Sequence, residues 1–169
     1  MADFVPVSCE SLDENTFSLI GRDWMLVTAG DSSSFNTMTA SWGGLGVLWS
    51  DPVAFIFVRP QRYTFGFTEK NDFFTLSFFD EKYRGALSLC GTKSGRDCDK
   101  VRETGLTPVH EDGYTYFAEA KLVIVCRKLY AQDIRPECFT DRDIIGAHYP
   151  ANDFHRMYTG KIIKCLKKA

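Results

Sequence analysis

The stretch that most restricts the fold runs from Ser32 to Thr64. It reads Ser32-Ser33-Ser34-Phe35-Asn36-Thr37-Met38-Thr39-Ala40-Ser41-Trp42, passes through Val53–Val58, and ends in Arg59-Pro60-Gln61-Arg62-Tyr63-Thr64. Val53–Val58 is apolar without interruption, the pattern of a strand buried on both faces. Pro60 ends it, because proline cannot donate to a ladder. Between Asn36 and Trp42, small hydroxylated residues alternate with larger apolar ones. Such a segment can run as a strand while offering hydroxyls and backbone groups to something flat and polar. Two arginines, a tyrosine and a threonine then follow the apolar strand. Arginine, hydroxyl and helix-opening N–H groups together make an anion site. A planar heterocycle with a phosphate tail suits both halves.

Taken in order, residues 1–15 read as a lead-in ending in Asp13-Glu14-Asn15, and Thr16–Ile20 as a short strand. Trp24–Ala29 is rich in strand formers and stops at the turn pair Gly30-Asp31. Met38–Trp42 is its expected antiparallel partner, with the intervening serines as a polar loop or a phosphate contact. Gly43-Gly44-Leu45-Gly46 precedes no helical pattern, which rejects a dinucleotide fingerprint and suggests a bulge or sharp bend. Tyr63–Lys70 fits a short helix or a strand equally. Phe73–Phe79 is a strand. Glu81–Leu89 suits a helix with Asp80 as N-cap, Gly91–Gly95 breaks the chain, and Asp97–Glu103 is a second short helix ended by Thr104-Gly105. Tyr116–Leu129 reads as one long strand extended by Ala131–Ile134, Pro136–Pro150 is less regular, and Tyr158–Leu166 is the last strand. Many strands with a few short helices and no βα alternation point to a mainly β fold, a small antiparallel barrel with peripheral helices. No repeat, low-complexity tract or linker divides residues 1–169, so one domain is expected.

The order and spacing of these segments resemble the flavin reductase-like, FMN-binding split β-barrel family, with a flavoredoxin-like branch nearest. The resemblance rests on Asn-x-Met-Thr-Ala-Ser-Trp from Asn36, Asp51-Pro52 and its strand, Arg59-Pro60-Gln61-Arg62-Tyr63-Thr64, and Phe73–Phe78. Gly91–Asp97 and Asp153-Phe154-His155-Arg156-Met157-Tyr158-Thr159-Gly160 complete it. It covers nearly the whole chain and favours the helix over Tyr63–Lys70. It implies FMN as cofactor, NAD(P)H as electron donor, a protein or small-molecule acceptor of unknown identity, and a homodimer with flavin near the subunit interface.

The residues themselves suggest how the parts divide. Arg62, Tyr63 and Thr64 sit where a strand gives way to a helix start and are the first phosphate candidates. Ser94-Gly95-Arg96 and Lys100 form a second cluster, with the competing reading that Arg96 and Lys100 pair with Asp97, Asp99 or Glu103 on a surface helix. For the ring, Asn36, Met38, Thr39, Ser41 and Trp42 are candidates, since Asn36 both donates and accepts; Trp42 is equally a core residue by composition alone. Ser77 and Phe78 alternate, so one faces the site, and Ser77 is preferred. The resemblance places Lys100, Cys90 and Gly91 near the flavin, and His155 where nicotinamide would stack, with Phe154 and Tyr158 covering the ring. A buried structural role is the competing reading for Cys90 and for His155.

Other classes have less support. The net charge of −2 gives no general attraction to nucleic acid or anionic membrane. The lysines at 161, 164, 167 and 168 read as a solvated strand edge and tail, or a local anion contact. The six cysteines, at 9, 90, 98, 126, 138 and 165, form no CxxC pair and fit no zinc spacing. With no signal peptide in view, a reducing cytoplasm is expected. No apolar run approaches the ~20 residues that span a bilayer. There is no G-x-S-x-G elbow, no metal spacing among the three histidines and no pairing of carboxylates to argue for. The expected activity is therefore an NAD(P)H-dependent FMN oxidoreductase with no essential acid or base. The alternatives are an FMN electron carrier without NAD(P)H activity, a non-enzymatic flavin- or haem-binding module, and an all-β domain without cofactor.

Overall fold

The structure, a computed structural model, describes residues 4–169; the first three residues of the expected lead-in lie outside it. The strands are β1 (Phe4–Val7), β2 (Met25–Gly30), β3 (Phe35–Ala40), β4 (Gly43–Leu48), β5 (Asp51–Val58), β6 (Phe73–Phe78), β7 (Pro108–Glu111), β8 (Tyr114–Phe117), β9 (Leu122–Asp133) and β10 (Arg156–Lys168). The helices are α1 (Tyr63–Lys70), α2 (Arg84–Thr92), α3 (Lys100–Thr104) and α4 (Asp143–His148). An eight-stranded antiparallel sheet runs β3-β2-β6-β9-β10-β5-β4, with β1 also paired to β10, while β7 and β8 form a separate hairpin.

Side-chain alternation on these strands builds two cores. Val27, Ile56, Phe74, Leu76, Phe78, Ile124 and Tyr158 fill the interior of the curled sheet. Their neighbours Leu26, Val123 and Val125 point the other way, onto Leu87, Phe79 and the β7–β8 hairpin. The long β10 has register shifts at Thr159/Gly160 and Ile162/Lys164, the bulges that let one strand serve β5, β9 and β1. At Gly160 the ring of Phe74 packs so close that an added Cβ would lie 2.5 Å from it.

The two edge strands, β3 and β4, are consecutive in the chain and are joined only by Ser41-Trp42. Three Cα steps reach at most about 11 Å. The sheet therefore curls until its edges nearly meet at one corner without pairing. A cleft opens at that corner.

Several expectations are corrected. Thr16–Ile20 is helical: Asn15 accepts from the Ser18 N–H at 3.1 Å, a π-turn follows over Ser18–Arg22, and the adjacent Leu19 and Ile20 are both buried. Gly43–Gly46 is not a bend but the start of β4, and the sharp turn comes at Trp49-Ser50. Those two residues have φ of 54° and 61°, as a two-residue primed hairpin turn requires. The expected strand Tyr116–Leu129 breaks at Ala118–Lys121, where the Ala120 N–H turns back to Phe117 O at 3.2 Å; Ala-Glu-Ala-Lys is poor strand sequence. Asp80 makes no capping bond. The second short helix starts at Lys100 rather than Asp97, because Asp99 caps it by accepting from the Arg102 N–H at 3.1 Å, and it ends at Gly105 with φ of 71°. Pro136–Pro150 contains a 3-10 turn and α4. Three lysines of β10 are paired, Lys161 with Asp51, Lys164 with Glu111, and Lys167 with Asp13 and Glu14, while Lys168 donates to Ala118 O at 3.4 Å.

Candidate functional site

The alternation that builds β5 also aims its end at the cleft. Ile56 and Val58 are buried in the core. Phe57 and Arg59, on the opposite face, line a cavity of about 430 Å³ together with Met38–Trp42, Gln61, Arg62 and His155. After Arg59 the chain turns, Arg62 N–H to Arg59 O at 3.0 Å, and α1 begins at Tyr63. The Arg62 guanidinium donates through Nη1 to Gly91 O at 2.9 Å, tying down a carbonyl in the last turn of α2. Its other N–H groups are left for a ligand. Burial, then the neighbouring Arg59, pulls the Arg62 pKa below its ordinary value; a guanidinium stays charged regardless. Among the described residues no carboxylate lines this cavity directly, and Asp153 pairs with its Arg59 from behind.

A strap from His148 to His155 closes the far side. Arg59 forms an ion pair with Asp153, donates through Nη2 to His148 O at 2.9 Å, and lies over the Tyr149 ring at 5.2 Å. Gln61 Nε2 donates to the same Asp153 oxygen at 2.6 Å. His155, only 8% exposed, has its Nδ1 2.9 Å from the Tyr149 hydroxyl and its ring 5.2 Å from that of Trp42. Burial above all, with help from Arg59 and Arg62 against the opposing Asp153, drives its pKa down to about 4. At neutral pH the imidazole is uncharged, and its Nε2 is the nitrogen left for a ligand. Trp42, 44% exposed, is also edge-on to His148 at 5.3 Å.

The remaining expected site residues divide between the cleft wall and its supports. Asn36 is buried, donates to Thr64 Oγ1 at 2.7 Å, and lies so near Gly95 that a Cβ there would meet Asn36 Oδ1 at 2.1 Å. Thr64 has no exposed surface, so it holds Asn36 rather than meeting a ligand directly. Lys100 is 7% exposed and spans two carbonyls, Thr37 O at 2.7 Å and Cys90 O at 2.9 Å. It clamps α3 to β3 and α2 instead of pairing with Asp97, Asp99 or Glu103. Burial lowers its pKa, with Arg62 acting in the same direction. Thr39 donates to Leu87 O, and a Cβ on Gly91 would meet the Thr39 side chain at 3.3 Å. Cys90 is a buried core thiol whose pKa burial pushes up to about 11. Arg96 lies over the Tyr63 ring at 4.7 Å and bonds Gln61 O at 3.2 Å, while the Ser94 hydroxyl accepts from the Arg96 N–H at 3.2 Å.

Three expected contacts sit elsewhere. Ser77 is fully buried; it is in register with Leu26 and Val123 and faces the second core, while Phe78 faces the first. Tyr158 is also fully buried, with its hydroxyl donating to Glu69 at 2.6 Å. Phe154 stacks on Tyr149 at 4.7 Å, behind the strap rather than over the cleft. Sequence reasoning gave no role to Phe57, Gln61, Tyr149 or Asp153, and took Arg59 only as one of the two arginines of an anion site. Period-two alternation back from Arg59 would have found Phe57. The Arg59–Asp153 pair joins positions 94 apart and leaves no local trace.

Fold and cleft together define a small antiparallel barrel whose unpaired corner offers hydroxyls, flat walls and arginines to a planar anionic ligand. The chain belongs to the flavin reductase-like domain family, whose model matches residues 17–166. Its fold is that of the split-barrel flavin reductase-like proteins. It resembles the FMN-binding domain of a flavin reductases-like enzyme from Shewanella baltica OS155, at TM-score 0.70 and 14% identity, over 99% of this chain and 78% of that one. The flavoredoxin of Desulfovibrio vulgaris (Miyazaki F) matches at TM-score 0.66 and 21% identity, over 98% and 77%. The NADH:FAD oxidoreductase SgcE6 of Streptomyces globisporus C-1027 matches at 0.65 and 17%, over 86% and 75%. No curated protein matches. Among the described residues no helix is long and apolar enough to cross a membrane.

Proposed function

We propose that this protein is an FMN-binding oxidoreductase that takes electrons from NAD(P)H and passes them to a protein or small-molecule acceptor, and that the whole chain works as one domain. The observation that carries this reading is the cavity at the barrel corner, between the hydroxyl-rich edge of β3 and the Arg59–Arg62 turn, where Arg62 has no carboxylate partner among the described residues. Its volume is within the usual range for small-molecule sites, about 300–1,000 Å³. When bound, FMN supplies the hydride and electron chemistry, while the protein supplies orientation and electrostatics. The Arg62 guanidinium holds the phosphate. Thr39, Ser41 and the β3 backbone orient the ring edge, and Trp42 and Phe57 cover its faces and exclude water. Neutral His155, fixed by Tyr149, offers a hydrogen bond without adding charge. Asn36, Gly95, Thr64 and Lys100 keep β3 and the Ser94–Arg96 loop in place around this pocket.

The same reading makes the protein a cytoplasmic homodimer with flavin near the subunit interface. In support, edge strand β4 and its turn expose Val47 (77%) and Trp49 (57%). Sedimentation at micromolar concentration should give twice the chain mass.

The deciding experiment is anaerobic. Protein loaded with FMN is mixed with NADPH and with NADH, and the flavin absorbance should bleach with one or both. A bound flavin that resists both donors would make the protein an electron carrier, and a colourless protein that gives no heat with FMN would end the proposal. The variant Arg62→Ala should weaken FMN binding about 10- to 100-fold, the scale of a charge-assisted hydrogen bond. Reduction of fully loaded variant should stay within a few-fold of wild type.

A further inference from the structure

His155 is boxed by three aromatic rings. Its own ring lies 5.2 Å from Trp42, 5.6 Å from Tyr149 and 6.5 Å from Phe57. Its carbonyl accepts from the Ile134 N–H at 2.9 Å, so backbone and ring are both fixed. Among the described residues only one of its nitrogens has a partner: Nδ1, 2.9 Å from the Tyr149 hydroxyl. Nε2 has none, on a ring that lines the cleft beside Met38–Trp42 and Arg62. Tyr149 is held as firmly. It is buried, stacks on Phe154 at 4.7 Å, carries the Arg59 guanidinium over its ring at 5.2 Å, and donates its N–H to Ile145 O at 2.8 Å. A separate cavity beside Gly95 and Lys100 shares no lining residue with the cleft, so His155 can act only at the barrel corner.

A neutral imidazole carries one N–H, and the partner of one nitrogen decides which of the two holds it. Burial above all, with Arg59 opposing, keeps the Tyr149 pKa above its ordinary value, so the hydroxyl retains its proton. Among the described residues that proton has no acceptor but His155 Nδ1. A phenol is also the better donor of the pair, and an imidazole nitrogen the better acceptor. We propose that Tyr149 is a positioning residue: it donates to Nδ1, holds the His155 proton on Nε2, and makes that end of the cleft a site for a carbonyl oxygen. A fixed donor favours an acceptor and leaves a second donor unpaired. Arg62, which has no carboxylate partner, disfavours a cation there. The flavin reading of the cleft offers two sources for the oxygen, a carbonyl of the flavin ring or one on a second flat compound laid beside it. The choice of ligand rests on that reading; the tautomer does not.

Long-range proton–nitrogen NMR spectra of isotopically labelled protein read the tautomer directly. The signals that vanish in His155→Gln identify its ring among the three histidines. Flavin-free wild type at neutral pH should show a protonated Nε2 and a bare Nδ1. Tyr149→Phe keeps the ring and its packing and removes only the hydroxyl. His155 should then give the averaged signals of mixed tautomers, with circular dichroism unchanged. A proton on Nδ1 in the wild type would overturn the proposal whether or not the variant folds. So would a folded variant that keeps the proton on Nε2, because the hydroxyl would then decide nothing. The ligand is tested with FMN, and then with benzamide and with benzylamine added to FMN-loaded protein. The Nε2 proton should move downfield with FMN if the flavin carbonyl takes the bond, or only with benzamide if a second compound does; benzylamine should leave it in place. The compound that moves it should bind Tyr149→Phe about twofold or more weakly, since only a share of the molecules then holds the competent tautomer. A proton that neither FMN nor benzamide moves, or benzylamine bound as tightly as benzamide, would overturn the carbonyl site. A protein that binds no FMN yet shows the Nε2 proton would lose the flavin reading and keep Tyr149 in its role.

Discussion

At the scale of single residues, His155 makes the sharpest claim. Its imidazole faces Tyr149, Arg59, Asp153, Arg62 and Trp42. Its pKa falls from an unperturbed 6.5 to about 4 on folding. The unfolded chain therefore binds more protons between those values. The stability tied to neutral His155 is complete above pH 6.5 and drains away as pH falls toward 4; it amounts to at most about 3 kcal/mol. Urea titrations from pH 7.5 to 4 should show this loss in the wild type and a shallower slope in His155→Gln. Parallel slopes would mean that the ring is charged, or solvated, in the folded protein. Gly95 makes a second claim. Any Cβ there would collide with Asn36 Oδ1 at 2.1 Å, so Gly95→Ala must push Asn36 off Thr64. Breaking that buried contact should cost about 1–3 kcal/mol and weaken flavin binding. An unchanged melting temperature and unchanged FMN affinity would show that the loop simply moves aside.

At the scale of elements, the strap from His148 to His155 is held chiefly by side chains from the Arg59–Arg62 turn. Asp153→Asn keeps its shape and removes the charge that pairs with Arg59. Because Arg59 and Asp153 are partly exposed, the stability loss should be small, about 1 kcal/mol or less. The larger effect should be kinetic: faster flavin release, and faster amide exchange confined to the strap. Exchange that stayed as slow as in the wild type would show that aromatic packing of Phe154 on Tyr149 is sufficient. The strap also shows where sequence reading stops. Strands with a clear period or an unbroken apolar run, such as Val53–Val58 and Phe73–Phe78, were legible because local pattern decides them. Tyr116–Leu129 was not, because its apolar start belongs to a separate hairpin and only the weak strand formers at Ala118–Lys121 mark the boundary. Thr16–Ile20 looked like a strand because a π-turn leaves no recognisable period. In the site, the Met38–Trp42 wall and Arg62 were visible as residue types beside a strand end. The pairing of Arg59 with Asp153 was not, since it is a contact between distant positions. Ser77 misled because both faces of β6 are buried, so alternation alone could not say which face meets a ligand.

At the scale of the whole molecule, the cleft lies where β3 and β4 come together without hydrogen-bonding each other. The edge strands of a sheet are the parts least held by neighbours. A ligand that touches Met38–Trp42 on one side and Arg59, Arg62 and His155 on the other bridges this gap, so binding should brace the barrel where it is weakest. FMN at a hundred times its dissociation constant adds about 2.7 kcal/mol, a rise in Tm of about 5–11 °C for a chain of this length. Where protection appears matters more than its size. Amide exchange should slow in β3, β4 and the first turn of α1, and stay unchanged in the β7–β8 hairpin, which belongs to a separate sheet. Uniform slowing across both sheets would mean that the ligand stabilises only global folding and does not bridge the edges. Slowing confined to α3 and the Lys100 clamp would move the flavin to the cavity beside Gly95 and leave the barrel corner without its assigned role.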